Sequence, residues 1–364
     1  MKSVKTLFNK KNNSMDSYEV FWNWFVQKEE QFYKVILEQD NLEENFFRQL
    51  GEQLDALREG YYFLTGITAE KQAELVITAD GIIKHLVFVE ELIAAAPDLP
   101  NWKFTALKQP VKVEKTSIKM NEYKFDAKTI QFYAIEHEHM PDEIDLVFTH
   151  KDWTEDNKNV INNGVFLAMD TYLGELKSIT TIDNISIIHP DEAKQPLIPL
   201  SKLKSFLVWR EKEFVEKYQD VRYATKDNTY YSVEATLPNG WPLFATINAN
   251  LLEWDNKASH PWLVLLQIHY KGQHNNGLPL EPTFDLLNEI ENNIMEYLQD
   301  QEGYLNVGRQ TADCVREVYW YCVDFRKPSK VLDYVKNQYQ DQIKITFEIY
   351  KDKYWQYLNR FQPQ

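Results

Sequence analysis

Residues 314–325 read CVREVYWYCVDF, an apolar run that fits one β-strand. Alternation puts Val318, Trp320 and Cys322 on one side and Val315, Tyr319, Tyr321, Val323 and Phe325 on the other. A strand that is apolar on both sides is covered on both sides, so it belongs in the middle of a sheet. Its neighbours supply the topology. Tyr304–Gln310 pairs with it as a hairpin, and Glu281–Gln299 reads as a helix with Phe284, Leu287, Ile290, Ile294 and Leu298 inward. Trp262–Tyr270 is a strand. Downstream, Pro328 opens a helix through Tyr339, where its missing N–H costs nothing. Gln342–Tyr350 alternates with Ile343, Ile345, Phe347 and Ile349 on one face. From Trp262 onward the order is βαββαβ, the ferredoxin-like arrangement.

Helices cover one face of such a sheet, so the second apolar face of 314–325 needs another cover. Three are open: the preceding hairpin, the N-terminal part, or a partner chain. That hairpin is Thr229–Leu237 and Pro242–Asn250, joined at Asn239 and Gly240, a strong turn signal. The C-terminal aromatics Tyr354, Trp355, Tyr357 and Phe361 are expected to dock back onto the body.

Upstream, Tyr18–Gln39 and Glu43–Leu57 carry apolar residues at helical spacing, with Phe21, Trp22, Phe25, Phe32, Val35 and Ile36 on one face of the first. Two similar runs follow. Tyr61–Gly66, Glu74–Thr78, helix Ile82–Ala96 and Trp102–Leu107 give ββαβ; so do Thr129–Glu136, Ile144–Thr149, helix Asn157–Leu173 and Ile182–Ile188. Pro196 and Pro199 mark a linker. The expectation is an α+β protein with two sheet-and-helix domains. It comprises a basic, polar, disordered tail over 1–16, an N-terminal domain with ββαβ units over 17–193, a linker over 194–201, and a ferredoxin-like domain over 202–364.

The 364 residues include 40 Lys and Arg against 55 Asp and Glu, a net charge of −15. That excess of carboxylates disfavours nucleic acid as a partner. Aromatics at 14% exclude a wholly disordered chain. No run approaches the ~20 apolar residues that span a bilayer, so no membrane role is expected. The start has no apolar core of a signal peptide. Cys314 and Cys322, set on one strand, would stand roughly 26 Å apart, beyond disulfide reach, and reduced thiols fit a cytoplasmic protein.

Scattered residues in the C-terminal part resemble a bacterial family of unknown function numbered 695. They are Gly240, Pro242 and Asn248; Asn276, Gly277, Leu278 and Pro279; Glu291; and Gly308 through Thr311, followed by Arg316, Tyr319 and Tyr321. The resemblance spans about the last 150 residues. It expects a glycine at the turn where this chain has Cys314. Such domains sometimes sit beside a module similar to RraB, a protein inhibitor of ribonuclease E with a ferredoxin-like fold, which implies a regulatory binding role by association alone. The family carries no assigned catalytic residues.

Phosphate-loop, dinucleotide, zinc-protease and nucleophile-elbow motifs are missing from the sequence. Glu136, His137, Glu138 and His139 form a metal-like string, with His137 and His139 about 6.6 Å apart on an extended strand and His150 as a third ligand. Pro141 follows at once, so a solvated loop is the better reading and no metal is expected. His269 and His274 flank Lys271 and Gly272, but no nucleophile stands at a matching spacing. Arg309, Thr311 and Arg316 bracket the turn at Ala312 and Asp313. Two guanidiniums and a hydroxyl on one edge suit a carboxylate or phosphate, unless they are spent on Asp313 or Glu317 in the same hairpin.

The reading is therefore a non-enzymatic cytoplasmic interaction or regulatory module, with another protein or a second copy as partner and with no cofactor. The alternative is a small-ligand binder or enzyme that uses Arg309, Thr311 and Arg316, with His269 nearby.

Overall fold

A computed structural model describes residues 13–112 and 117–362. Residues 1–12 of the expected tail lie outside the described residues, and helix α1 (Asn13–Glu38) already starts within the span assigned to it. The chain folds into two compact units. One takes the described residues up to His137 together with Ile144–Trp209; the other takes Glu138–Glu143 and the chain from Arg210 onward.

In the first unit, α1 buries Phe21, Trp22, Phe25, Phe32, Val35 and Ile36, the face expected from their spacing. Helix α2 (Arg48–Leu57) follows, then β1 (Tyr62–Ile67), β2 (Ala73–Thr78), α3 (Ile83–Ala94) and β3 (Trp102–Ala106). These strands form a sheet in the order β1-β2-β3, with β1 antiparallel and β3 parallel to β2. Aromatic edges bind α1 to it: Trp22 meets Phe104 and Phe25 meets Trp102 at centroid distances of 4.6 and 4.8 Å.

A short hairpin, β4 (Ile118–Met120) and β5 (Tyr123–Phe125), then interrupts the expected polar stretch. It leads into β6 (Ile130–Ile135), β7 (Asp145–His150), α4 (Lys158–Leu173), α5 (Glu175–Thr181), β8 (Asn184–Ile188) and β9 (Ile198–Pro199). The sheet order is β8-β7-β6-β9; β6 and β7 are antiparallel, β7 and β8 parallel. Both ββαβ runs are present. The 194–201 segment is not bare chain: Ile198 and Pro199 pair with β6. Leu200, with Leu203 and Leu207 of α6 (Leu203–Tyr218), is buried in the core of this sheet.

The second unit is a six-stranded antiparallel sheet. Its elements are β10 (Tyr230–Thr236), β11 (Pro242–Asn248), the short helix α7 (Ala249–Leu252), β12 (Trp262–His269), α8 (Glu281–Tyr297), β13 (Tyr304–Ala312), β14 (Val315–Cys322), α9 (Arg326–Tyr339) and β15 (Lys344–Lys351). The order is β10-β11-β13-β14-β12-β15. Its last four strands carry the βαββαβ connection, and the hairpin extends the sheet at β13. Glu138–Glu143 is bound into this unit through Asp142, whose carboxylate accepts from Tyr218 at 2.7 Å, Tyr354 at 2.8 Å and Lys217 at 3.0 Å.

The chain itself covers the second face of β14. Tyr319 and Tyr321 lie under Trp355, Leu358 and Phe361 in one buried cluster, with Leu251 and Leu252 of α7 beside them. Trp355 stacks on Tyr321 at 4.2 Å and donates its indole N–H to the carbonyls of Lys257 and His260. The aromatic tail thus provides the cover for which a partner chain was one candidate.

Cys314 does not sit in the strand as expected. It occupies the turn before β14, and both cysteines are free. Trp320 pairs with Val264 and Asn306 and is fully buried. Trp320→Ala should therefore lower unfolding free energy by about 3–5 kcal/mol in denaturant melts, with light scattering unchanged. A loss under about 1 kcal/mol with altered association would place this ring at an intermolecular face instead.

Candidate functional site

Position along β13 decides what Arg309 and Thr311 face. Leu305 and Val307 point into the cluster beneath the aromatic tail. Strict alternation would send Arg309 and Thr311 the same way. The ladder instead slips between Asn306 and Gly308: Asn306 pairs with Trp320, but Gly308 pairs with Tyr319. This bulge inserts one residue and turns Arg309 and Thr311 to the helix-covered face. Gly308 has φ +151°, and a Cβ there would stand 2.3 Å from the Thr246 carbonyl oxygen. Only glycine lets β11 approach that closely while the strand bulges.

On that face lies a cavity of about 360 Å³, lined by Phe244, Thr246, Asn275, Leu278, Pro279, Phe284, Arg309, Thr311 and Arg316. Arg316 is 1% exposed. Its Nε donates to Thr311 Oγ1 at 3.1 Å, and its Nη1 donates to Asn288 Oδ1 and Glu291 Oε1, both at 2.9 Å. Arg309, 36% exposed at the rim, donates its Nη1 to Glu291 Oε2 at 2.9 Å. Burial lowers the pKa of Arg316, which Glu291 opposes and Arg309 reinforces. A guanidinium keeps its charge under such a shift. One buried carboxylate, 4% exposed, thus holds two cations. The Arg316 guanidinium also lies 5.0 Å from the Phe284 ring centroid.

The expected competitors, Asp313 and Glu317, are not the partners of these arginines. Glu317 lies on the opposite face, where it accepts from Tyr319 and Arg360. The true partner is Glu291, set in α8 beside Leu287, Ile290 and Ile294 on its buried side. A carboxylate among inward positions was the available signal. Phe284, expected inward, is 42% exposed and stands at the cavity mouth opposite Phe244, also 42% exposed.

His269 does not join this group. Ile268 pairs with Arg316 and shares its face, so His269 projects from the other side, where its Nε2 meets Thr346 Oγ1 at 3.1 Å. Burial, with Lys344 beside it, holds its pKa below the ordinary histidine value. His274 is exposed. The string's two histidines and His150, the third candidate ligand, also differ in environment. His137 pairs with Asp145 at 2.8 Å at the start of β7, whereas His150 ends that strand, bonded to the Lys124 carbonyl. Five strand residues separate those anchors by about 16 Å. His139 is exposed.

The turn that joins Thr311 to Arg316 explains the expected glycine. Asp313 and Cys314 both have left-handed backbone, at φ +47° and +64°. Backbone bonds clamp the turn: Cys314 N donates to the Gly277 carbonyl, and Tyr270 N to the Cys314 carbonyl, both at 2.9 Å.

Fold and site together define an α+β protein whose C-terminal sheet carries a half-open cavity with two arginines and an apolar mouth. Residues 235–361 match the model of a family of unknown function, DUF695, and that span contains every residue lining the cavity. No curated protein and no solved structure matches the chain. Among the described residues, no helix is long and apolar enough to cross a membrane.

Two substitutions check this geometry. Glu291→Gln leaves two guanidiniums uncompensated, one of them buried, and should cost about 3–5 kcal/mol in denaturant melts, whereas Arg309→Gln at the rim should cost about 1 kcal/mol or less. Equal losses would show that the pair is not desolvated. Cys314→Gly relieves a left-handed non-glycine residue and, after the added chain entropy of glycine, should stabilise the fold by about 0.5–1 kcal/mol.

Proposed function

We propose that the C-terminal unit is a non-catalytic recognition module that binds a small ligand in the Arg309–Thr311–Arg316 cavity. The observation that carries this reading is Arg316. A buried guanidinium is expensive unless its donors are used. Yet among the described residues only its Nε and Nη1 have protein acceptors, so Nη2 is left for something in the cavity. The aromatic mouth supplies apolar contact, the usual composition of a ligand site. Catalysis has less support: the lining holds neither a nucleophile beside a base nor a histidine, and His269 lies on the other face of the sheet. Two unpaired cysteines, one fully buried, support a reducing compartment such as the cytoplasm.

Ligand-observed NMR of the full chain against fractionated small metabolites tests the reading. Binding should appear in the wild type and vanish in Thr246→Trp, which fills the cavity from β11 with little change in melting temperature. No bound metabolite, or binding indifferent to that substitution, would overturn it. Consumption of a bound compound would favour the enzymatic alternative.

A further inference from the structure

We infer that the ligand of this cavity is a monocarboxylate carrying a compact apolar body, an inference that rests on the recognition reading above. Charge sets the first half. The cavity presents two guanidiniums, and among the described residues Glu291 is the single carboxylate paired with either. The cluster is therefore left with one positive charge, in a half-open site whose inner members, Arg316 and Glu291, are buried. A monoanion brings it to neutrality. A dianion would press a surplus negative charge against Glu291, where desolvation makes unpaired charge costly.

Donor chemistry sets the anion type. Arg316 Nη2, together with Nε and Nη2 of Arg309, has no protein acceptor among the described residues. Thr311 Oγ1 already accepts from Arg316, so its own proton is available to donate outward. A planar carboxylate has two oxygens that accept such donors, and arginine is suited to carboxylate for this reason. Size and apolarity set the rest. A space of about 360 Å³ corresponds to about a dozen water volumes. Beyond the arginines and Thr311 its walls are Phe244, Leu278, Pro279 and Phe284, with Thr246 and Asn275 as the remaining polar lining, and the two phenylalanine rings are left open at the mouth. An aryl or short alkyl acid fills that space: its carboxylate meets Arg316 at the inner end and Arg309 towards the rim, and its body lies between the rings.

Isothermal titration of the full chain at neutral pH with benzoate, phenylacetate and hexanoate, with their primary amides, and with phenyl phosphate and inorganic phosphate, is decisive. At least one acid should bind with one-to-one stoichiometry and its amide at least tenfold more weakly. Phenyl phosphate should bind no tighter than the best acid. Arg309→Gln should weaken that acid at least tenfold with the melting temperature lowered by no more than a few degrees, and Thr246→Trp should abolish binding. An amide that matches its acid, or a phosphate that exceeds every acid, would overturn the ligand class. If Thr246→Trp still blocked that probe, the cavity would stand as a recognition site. Acid binding that survives both substitutions would place it elsewhere and overturn the assignment. Silence from every probe would overturn it as well, and the metabolite screen would then decide the recognition reading separately.

Discussion

The bulge at Gly308 is the constraint on which the C-terminal unit depends. One strand, β13, has to supply Leu305 and Val307 to the face under the aromatic tail and Arg309 and Thr311 to the face under the helices. All four are odd-numbered, and a regular strand would send them the same way. Without the slip, either Arg309 and Thr311 would be pushed into the Tyr319 and Tyr321 cluster or two aliphatic side chains would be drawn out of it. The close approach of Gly308 to the Thr246 carbonyl fixes where the slip occurs.

Once Arg309 is turned to that face, electrostatics follows. Arg316 is 1% exposed, and isolated burial of a guanidinium would cost several kcal/mol. Glu291 offsets that cost because α8 carries it on the same side as Leu287 and Ile294. Asn288, one helical turn earlier, adds a neutral acceptor to both arginines. A single helix face thus mixes aliphatic packing with two acceptors. Both arginines are held in place by these acceptors, so the proposed ligand would have less side-chain entropy to overcome.

Much of the architecture is legible in the sequence because it rests on periodicity. The alternation in Gln342–Tyr350, the turn at Asn239 and Gly240, and the helical spacing of Leu287, Ile290 and Ile294 each report a local pattern, and local patterns survive into the fold. The two ββαβ runs are legible for the same reason. Arg309, Thr311 and Arg316 could be singled out as a polar edge, since they crowd one short hairpin. Their partner could not be read from that hairpin. Glu291 comes from a helix some 20 residues away, and nothing in its spacing separates a buried carboxylate from a solvated one. Nor does alternation reveal a bulge, because a slip of one residue leaves composition untouched. His269 falls on the other face for the related reason that one residue of register, not proximity in sequence, decides the face. The boundary near Pro196 and Pro199 marks a turn signal, yet Leu200, Leu203 and Leu207 continue the core past it.

The cavity's position follows from adding a hairpin to a sheet that already has its helices. Four strands at about 4.8 Å spacing are as wide as two helices of about 10 Å diameter lying side by side. Helices α8 and α9 therefore suffice for β13, β14, β12 and β15. Strands β10 and β11 extend the sheet beyond them, and the short α7 that follows β11 packs its Leu251 and Leu252 into the cluster on the tail side. On the tail side the extension is sealed, because Ala245 and Ile247 pack into the cluster around Trp355. On the helix side, Phe244 and Thr246 of β11 face the flank of α8 across an unfilled gap, and β13 supplies its floor. Apolar surface in that gap stays uncovered, as the exposure of Phe244 and Phe284 records. Filling the gap with protein would need another element. With Arg316 at its inner end and Arg309 at its rim, the gap would, under the proposed recognition reading, favour a ligand with an anionic group, since an apolar molecule without one cannot use their donors. The same edge that leaves the sheet unfinished is thereby the place of the proposed site.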